Sequence, residues 1–260
     1  MNQPIKAIFF DIDGTLVSFK THKMPESTKK ALSILREKGI KLFIATGRYM
    51  GFINNLEDEE FEAYVTLNGQ ICLNKSGVFY KEAMNPDDVA AAVAHIEREN
   101  QVCLFVTEND YFINGSNEIS EAVMKLVNFP HIPVRPANSV LGTPVYQMVA
   151  FLNHDEEAAL MADMPHSAAT RWHDTFIDII TENGSKQVGI DKVLEHYNID
   201  LSETLSFGDG ENDLAMLAHT PNSVAMGNAN DVVKQHATYI TDSVDEDGVY
   251  KALQHFGLID

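Results

Sequence analysis

The stretch FFDIDGTLVSF, residues 9–19, places two aspartates directly after a run of large apolar side chains. The apolar run Ile5–Phe10 predicts a strand that is buried on both faces. Asp11 and Asp13 then stand at the carboxyl end of that strand. Ligands of an open parallel sheet bind beyond the carboxyl ends of its strands. This stretch therefore predicts an α/β fold with a functional site at the end of the first strand.

The order of strands and helices around this stretch predicts the topology. Strand patterns and helix patterns alternate over the first 80 residues, and the alternation resumes after residue 184. This order is typical of a parallel sheet with right-handed crossovers. The predicted strands are Ile5–Phe10, Lys41–Ala45, Ala63–Leu67, Ile71–Leu73 and Val78–Tyr80 as a hairpin, Thr204–Phe207, Ser223–Met226 and Thr238–Ile240. The predicted helices are Glu26–Lys38, Met50–Leu56, Lys186–Tyr197, Asp213–Ala218 and Asp231–His236.

The middle of the chain follows a different pattern, in which strands or strand pairs are separated by helices. A pattern of this kind is typical of an α+β domain. We therefore predict the fold class α/β, with a Rossmann-like parallel-sheet core formed by residues 1–82 and 184–260. The predicted core is interrupted by an inserted α+β domain at residues 83–183.

The formal net charge of −19, from 38 acidic and 19 basic residues, excludes several classes of partner. A surface this acidic repels nucleic acid and anionic membranes, and no apolar stretch reaches the roughly 18 residues that a membrane helix needs. The two cysteines, Cys72 and Cys103, suit neither a disulfide framework nor a metal site. We therefore expect a cytoplasmic protein that is a monomer or a weak homo-oligomer. Its expected partner is a small molecule, with no nucleic acid and no membrane.

Polar side chains follow three of the predicted core strands. Asp11 and Asp13 follow the first, the tripeptide TGR at residues 46–48 follows the second, and GDGEND at residues 208–213 follows a later one. Parallel strands bring their carboxyl ends to one edge of a sheet. Several carboxylates at one edge repel one another unless a cation lies between them, and such hard oxygen ligands suit Mg²⁺.

The same edge is expected to attract an anion. Lys186 stands at the first turn of a predicted helix, where the helix N-terminus itself favours a phosphate group. Thr46 offers a hydroxyl, and Gly47 allows a ligand to approach the backbone N–H closely. Simpler interpretations remain open at this point, because Lys186 could be an ordinary surface lysine and Thr46 could only cap a helix.

Taken together, these segments resemble a known family. DIDGT, TGR, the lone Lys186 and GDGEND resemble the four motifs of the haloacid dehalogenase superfamily in order and spacing. The insert looks like the type IIB cap of the Cof-type phosphatases. The segment Arg171–Asp178 and the tail DEDGV, residues 245–249, are similar to the hexose-phosphate phosphatase branch of that group.

The resemblance implies a reaction and a role for each matching residue. Asp11 matches the nucleophile that attacks phosphorus, and Asp13 matches the acid–base group, which also binds the metal through its backbone carbonyl. Asp213 matches a supporting residue that orients Lys186 or a metal-bound water. The resemblance thus implies catalytic Asp11, Asp13 and Lys186; phosphate-binding Ile12, Thr46, Gly47, Lys186 and Asn212; and the Mg²⁺ ligands Asp11, Asp13 and Asp209.

The expected function is a magnesium-dependent phosphatase that hydrolyses hexose phosphates through a phosphoaspartate. The core groups touch only the phosphoryl group, so we expect the inserted domain to select the substrate. Candidate substrate contacts are Arg48, Arg171 and Trp172, although Arg48 could instead line the cap interface and Trp172 could only fill the core of the cap. Two alternatives remain open: a phosphomutase of the same superfamily, and a non-catalytic regulator that binds a phosphosugar.

Overall fold

The computed structural model describes residues 4–126, 131–173 and 175–260, and the side chains of Leu126, Trp172 and His173 lie outside that description. The chain forms two compact units. One consists of the chain up to Tyr80 together with Ser185–Asp260, and the other is Lys81–Gly184. Helices pack on a mainly parallel sheet in the first unit and on an antiparallel sheet in the second. The predicted fold class, a parallel-sheet core with an inserted α+β unit, is confirmed.

The strands and helices have the following bounds. The strands are β1 Ala7–Phe10, β2 Lys41–Ala45, β3 Ala63–Thr66, β4 Ile71–Asn74, β5 Gly77–Lys81, β6 Val102–Thr107, β7 Tyr111–Ile113, β8 Val145–Phe151, β9 Ser167–His173, β10 Phe176–Thr181, β11 Thr204–Gly208, β12 Asn222–Ala225 and β13 Tyr239–Ile240. The helices are α1 Glu26–Glu37, α2 Pro86–Glu99, α3 Glu118–Leu126, α4 His154–Ala162, α5 Lys186–Tyr197, α6 Leu214–His219, α7 Asp231–Lys234 and α8 Gly248–His255.

The sheet of the first unit has the strand order β13-β12-β11-β1-β2-β3-β4-β5. Strand β1 lies in its middle, parallel to both β11 and β2. Its four side chains are all buried and alternate between two cores. Ile8 and Phe10 pack with apolar residues of α1 and α8 on one face, and Ala7 and Phe9 pack with those of α5 on the other. A strand covered on both faces needs a continuous apolar run, which is why β1 could be predicted from the sequence.

In this unit one sequence prediction is wrong and one helix was missed. The helix predicted at Met50–Leu56 is only a 3₁₀ turn at Met50–Phe52, after which Ile53 takes extended dihedral angles. The segment contains Gly51, a residue with low helix propensity. Helix α8 was not predicted at all, although Val249, Ala252 and Leu253 have helical spacing and pack in one core cluster with α1.

The second unit has an antiparallel sheet with the strand order β7-β6-β8-β10-β9. Apolar residues of α2 and α4 cover one face of it, including Val93, Ile96 and Leu160. They pack on side chains of the central strands such as Phe105 and Met148. In the part of the chain that the structure describes, no helix combines the length and the hydropathy needed to cross a membrane.

A close approach of backbones places the start of α5 against the turn that follows β3. Gly69, in that turn, has φ +99°, and a Cβ atom there would lie 2.0 Å from the carbonyl oxygen of Ser185. Gly189 faces it from the first turns of α5, and a Cβ atom at Gly189 would lie 3.0 Å from the Cα atom of Gly69. Both positions therefore need glycine, because any side chain would push α5 away from the sheet.

We predict that Gly69→Ala destabilises the protein more than Gly39→Ala. Gly39 also has a positive φ, +73°, but among the described residues nothing other than its own chain neighbours lies within 4 Å of the Cβ position there. Alanine at residue 39 therefore suffers only the left-handed backbone strain of about 1–2 kcal/mol. At residue 69 the overlap with Ser185 adds to that strain, and we expect a total loss of about 3 kcal/mol or more.

The free energies of unfolding of both variants can be measured by urea titration. Equal losses in the two variants would show that the contact with Ser185 relaxes without cost and does not hold α5 in place.

Candidate functional site

The site forms where three neighbouring parallel strands end. Phe10, the last residue of β1, pairs with Ile44 of β2 on one side and with Phe207 of β11 on the other. The chain segments that follow these strands therefore leave the sheet at the same edge. The N-terminus of α5 lies at this edge as well, because the Lys186 ammonium contacts Asp11, the residue directly after β1.

Lys186 is the centre of the site. Its side chain is completely buried, and its Nζ atom lies 2.6 Å from Oδ1 of Asp11 and 2.6 Å from Oδ1 of Asp213. The helix that carries it begins with a cap, since the Ser185 side chain accepts a hydrogen bond from the N–H of Val188. The ammonium and the N-terminus of the helix are the sources of positive charge within an otherwise acidic edge.

Asp213 fixes both the lysine and the loop that precedes it. One carboxylate oxygen accepts from Lys186, and the other accepts from the backbone N–H groups of Asp209 and Gly210 at 2.9 Å each. Gly208 leaves room for this carboxylate, because a Cβ atom there would lie 2.5 Å from Cγ of Asp213. Of the two roles expected for Asp213, the orientation of Lys186 is therefore the one that the contacts support.

Three carboxylates are close enough together to hold a metal ion. Asp11, Asp209 and Asp213 each offer an oxygen atom, and these atoms all lie within 4.8 Å of one another. Carboxylate oxygens are the hard ligands that Mg²⁺ and similar divalent cations prefer, so the donor set fits such a cation. Asp213 already serves Lys186 and two N–H groups, which leaves Asp11 and Asp209 as the carboxylates with the fewest competing partners.

The protonation of these groups reflects their burial and their crowding. Burial, with the charges of Asp213 and Asp13, raises the pKa of Asp11 from 3.8 to about 7 although Lys186 opposes the shift. Burial, with the charges of Asp11 and Asp213, likewise raises the pKa of Asp209 well above its usual value. Burial alone would lower the pKa of Lys186, but Asp11 and Asp213 outweigh it and hold the lysine protonated. A divalent cation would relieve the crowding of negative charge.

Asp13 lies apart from this cluster and is gripped by Arg48. The guanidinium Nε donates to one oxygen of Asp13 at 2.5 Å, and Nη2 donates to the other at 2.8 Å. Its remaining terminal nitrogen donates to the carbonyl oxygen of Phe52 at 2.9 Å. Only 7% of the Arg48 side chain is exposed. The sequence predicted Arg48 as a contact of the substrate or of the cap, and gave no indication of this paired geometry with Asp13.

The predicted phosphate-binding residues occupy the loops beside Lys186. Ile12 is buried directly after Asp11, and the Thr46 hydroxyl accepts from the N–H of Arg48 at 3.1 Å. The Asn212 amide donates to the Asn68 side chain at 3.1 Å. Asn68 is buried with φ +52°, and its own N–H donates to the carbonyl oxygen of Thr46.

Asn68 therefore links the segment TGR, residues 46–48, to the segment GDGEND, residues 208–213. In the sequence, the signal for this residue is the dipeptide Asn68-Gly69 after the third predicted strand, because Asn-Gly favours a turn.

Sequence reasoning missed two residues that contact Asp209. The Thr15 hydroxyl donates to one oxygen of Asp209, and the Asn228 amide donates to the other. Thr15 belongs to the DIDGT segment, so its position was a signal for the first contact. Asn228 lies 19 residues after Asp209, and no pattern in the sequence connects them.

Arg171 and Trp172 are the two candidate substrate contacts in the second unit. Arg171 lies in β9, and its Nη2 atom forms an ion pair with Glu157 of α4 at 2.6 Å. Trp172 lies in the same strand, but its side chain is outside the described part of the structure. The substrate contacts predicted for both residues stay predictions.

Comparison with known proteins identifies the family. A model of the haloacid dehalogenase-like hydrolases matches residues 8–253. YkrA of Bacillus subtilis, which is provisionally named a phosphatase, is 32% identical over 257 residues, covering 98% of this chain and 98% of YkrA.

Two solved structures are similar over nearly the full length. The subclass IIB sugar phosphatase BT4131 is 40% identical with a TM-score of 0.95, covering 98% of this chain and 100% of that one. The phosphatase BT1666 from Bacteroides thetaiotaomicron is 32% identical with a TM-score of 0.90, covering 98% and 96%. The resemblance predicted from the four motifs is confirmed.

The raised pKa of Asp11 predicts how stability depends on pH. Between about pH 4 and 7 the folded protein keeps a proton that the unfolded chain has lost, so the free energy of unfolding of the metal-free protein falls as the pH rises through this window. Asp11→Asn keeps an oxygen that accepts from Lys186 but removes the crowded charge. In EDTA at pH 8 we expect this variant to melt at least about 2 °C above the wild type, and we expect the gain to shrink toward pH 5.

Thermal melting at several pH values checks this prediction. Asp58→Asn, at an exposed position, is the matched control and should leave the pH profile unchanged. A loss of stability in Asp11→Asn at pH 8 would mean that the ion pair with Lys186 outweighs both the cost of burying the Asp11 charge and its repulsion from Asp213 and Asp13.

Proposed function

Because the chain belongs to the haloacid dehalogenase-like hydrolases and matches phosphatases of that family along nearly its whole length, we propose a specific reaction for it. The protein hydrolyses phosphate monoesters of small sugars, among which hexose phosphates are the favoured substrates. The reaction uses Mg²⁺ and forms a phosphoaspartate on Asp11. The observation that carries the proposal is the buried Lys186 held between Asp11 and Asp213, beside a further carboxylate at Asp209. This arrangement can neutralise a phosphoryl group next to a carboxylate nucleophile.

The first half of the proposed reaction uses Asp11 and Asp13. An oxygen of Asp11 attacks phosphorus, the bond from phosphorus to the ester oxygen breaks, and Asp13 gives its proton to the departing alkoxide. Lys186 holds the phosphoryl oxygens and neutralises their charge while this occurs. When bound, a divalent cation held by Asp11 and Asp209 supplies further positive charge for the same oxygens.

The second half returns the enzyme to its starting state. A water molecule attacks phosphorus, Asp13 takes a proton from it, and the bond between phosphorus and Asp11 breaks to release inorganic phosphate. Asp13 must therefore face the ester oxygen in the first half and the water in the second. We assign Arg48 to orienting the Asp13 carboxylate, because it binds both oxygens of that group.

Two arguments support a hexose phosphate as the substrate: similarity to a sugar phosphatase, and the separation of phosphoryl chemistry from recognition of the leaving group. BT4131, which is 40% identical to this chain, is described as a sugar phosphatase. The groups at the edge of the parallel sheet act on the phosphoryl group, which all phosphate monoesters share. We therefore propose that Lys81–Gly184 supplies the contacts that distinguish one leaving group from another, with Arg171 and Trp172 as candidates.

We expect the purified protein to release inorganic phosphate from hexose phosphates when Mg²⁺ is present. In a panel of phosphorylated metabolites, chelation by EDTA should abolish the release, and added Mg²⁺ should restore it. Asp11→Asn should lower kcat by about 10³-fold or more, because it removes the nucleophile. Acid-quenched wild-type enzyme should carry phosphate on Asp11, which mass spectrometry of the peptides can detect.

The alternatives give different results in the same panel. Interconversion of phosphosugar isomers without phosphate release would indicate a phosphomutase. Binding of a phosphosugar without any turnover would indicate a regulator. Full activity after chelation would refute the metal dependence alone.

A second experiment tests the roles of Asp13 and Arg48. General acid–base groups contribute about 10²–10⁴-fold to the rate. Asp13→Asn should therefore lower kcat by that range for a hexose phosphate, whose leaving alkoxide needs a proton. The loss should be much smaller for the first step with p-nitrophenyl phosphate, whose leaving group needs none, as measured by a pre-steady-state burst of p-nitrophenol.

Arg48→Lys keeps the charge but loses the two-point grip on Asp13. Like Asp13→Asn, it should lower kcat for a hexose phosphate more than it slows the first step with p-nitrophenyl phosphate. Both losses should be smaller than those in Asp13→Asn. Equal losses for both substrates in both variants would contradict the acid role of Asp13 and the orienting role of Arg48.

A further inference from the structure

Both oxygens of the Asp209 carboxylate are held by side chains from outside its own loop. The Thr15 hydroxyl donates to Oδ1 at 2.9 Å, and the Asn228 Nδ2 donates to Oδ2 at 3.0 Å. The two donors come from different parts of the chain, because Thr15 follows β1 and Asn228 follows β12. A carboxylate gripped on both oxygens cannot rotate without losing a hydrogen bond.

Asn228 is itself anchored in three directions. Its Nδ2 also donates to the carbonyl oxygen of Gly14 at 2.9 Å, and its Oδ1 accepts from the N–H of Val244 at 3.0 Å. Both amide hydrogens and the amide oxygen are thus engaged, so the orientation of the amide group is fixed. Asn228 is nevertheless exposed to solvent, so its side chain does not fill a core.

Gly14 completes the support around Asp209. It has φ +82°, and a Cβ atom there would lie 2.1 Å from Oδ2 of Asp209. The loop after β1 therefore takes a left-handed conformation and lacks a side chain at the point where the carboxylate lies against it. Three separate features place this one carboxylate: a glycine that leaves the space, and two donors that fix its direction.

We infer that Asn228, together with Thr15, is a positioning residue that holds Asp209 in the orientation that binds the divalent cation, and so sets the metal affinity of the enzyme. Residues that orient the ligands of a metal typically change metal affinity by 10–100-fold when they are removed. The inference rests on the metal site of the proposed function, and the experiment is arranged so that the two can fail separately.

The primary measurement is calorimetric titration of Mg²⁺ into metal-free protein, which needs no turnover. Asn228→Ala should raise the dissociation constant for Mg²⁺ by about 10–100-fold. Asn230→Ala is the matched control. Asn230 lies in the same loop and bonds to Glu211 and to the first turn of α7, and none of its described hydrogen bonds reaches Asp209. Its substitution should leave the dissociation constant within about threefold of the wild type.

A pair of variants at Thr15 keeps the test decisive if Asn228→Ala folds poorly. Thr15 is completely buried, and Thr15→Val removes the hydroxyl while keeping the shape of the side chain. Thr15→Ser keeps the hydroxyl. Weaker Mg²⁺ binding in Thr15→Val, with recovery in Thr15→Ser, would show that the hydrogen bond to Asp209 is responsible. Equal Mg²⁺ affinities in the two variants and in the wild type would overturn the inference for Thr15.

Enzyme kinetics separate positioning of the metal ligand from a general loss of structure. In Asn228→Ala the Mg²⁺ concentration for half-maximal activity should rise by the same factor as the dissociation constant, while kcat at saturating Mg²⁺ returns to within a few-fold of the wild type. A kcat that stays low at saturating Mg²⁺, with unchanged affinity, would overturn the inference. If the wild-type protein binds no divalent cation, the metal part of the proposed function fails instead.

Discussion

The buried ammonium of Lys186, bonded to Asp11 and Asp213, is the interaction on which the rest of the site depends. Taking an ion out of water costs several kcal/mol, and only good geometry with further hydrogen bonds repays it. The structure supplies that geometry with the ends of β1 and β11, the cap at Ser185, and two N–H groups on Asp213. Strand register, the close packing at Gly69 and the start of α5 must all be correct for three charges to meet.

The same cluster explains how a chain with a net charge of −19 can receive an anion. Three carboxylates, Asp11, Asp209 and Asp213, face one ammonium, so the cluster carries a net charge of −2 when all groups are ionised. Burial, and after it this repulsion, raises the pKa values of Asp11 and Asp209. A divalent cation would bring the cluster to neutrality, and the edge of the sheet would then no longer repel a phosphate ester. The acidic surface and an anionic substrate are compatible only through such local compensation.

Much of the fold and part of the site followed from the sequence, and the failures have physical causes. The apolar run Ile5–Phe10 predicted β1 because a central strand must be covered on both faces. The polar segments that end β1, β2 and β11 come together because strand pairing alone aligns them. The contacts of Arg48 with Asp13, and of Asn228 with Asp209, could not be predicted in this way. They depend on where side chains of different loops reach, which neither periodicity nor spacing encodes.

In the proposed reaction, Asp11 and Asp13 have different tasks although their side chains are identical. Both follow β1 within three residues, yet Asp11 is buried against Lys186, while Asp13 lies further out in the grip of Arg48. A nucleophile needs an oxygen fixed next to cationic groups that will also bind the phosphoryl group. A proton donor and acceptor needs to face the leaving group and then water, and so belongs nearer the solvent. In the proposed reaction, the role of each carboxylate therefore follows from its partner rather than from its position in the sequence: Lys186 is the partner of Asp11, and Arg48 is the partner of Asp13.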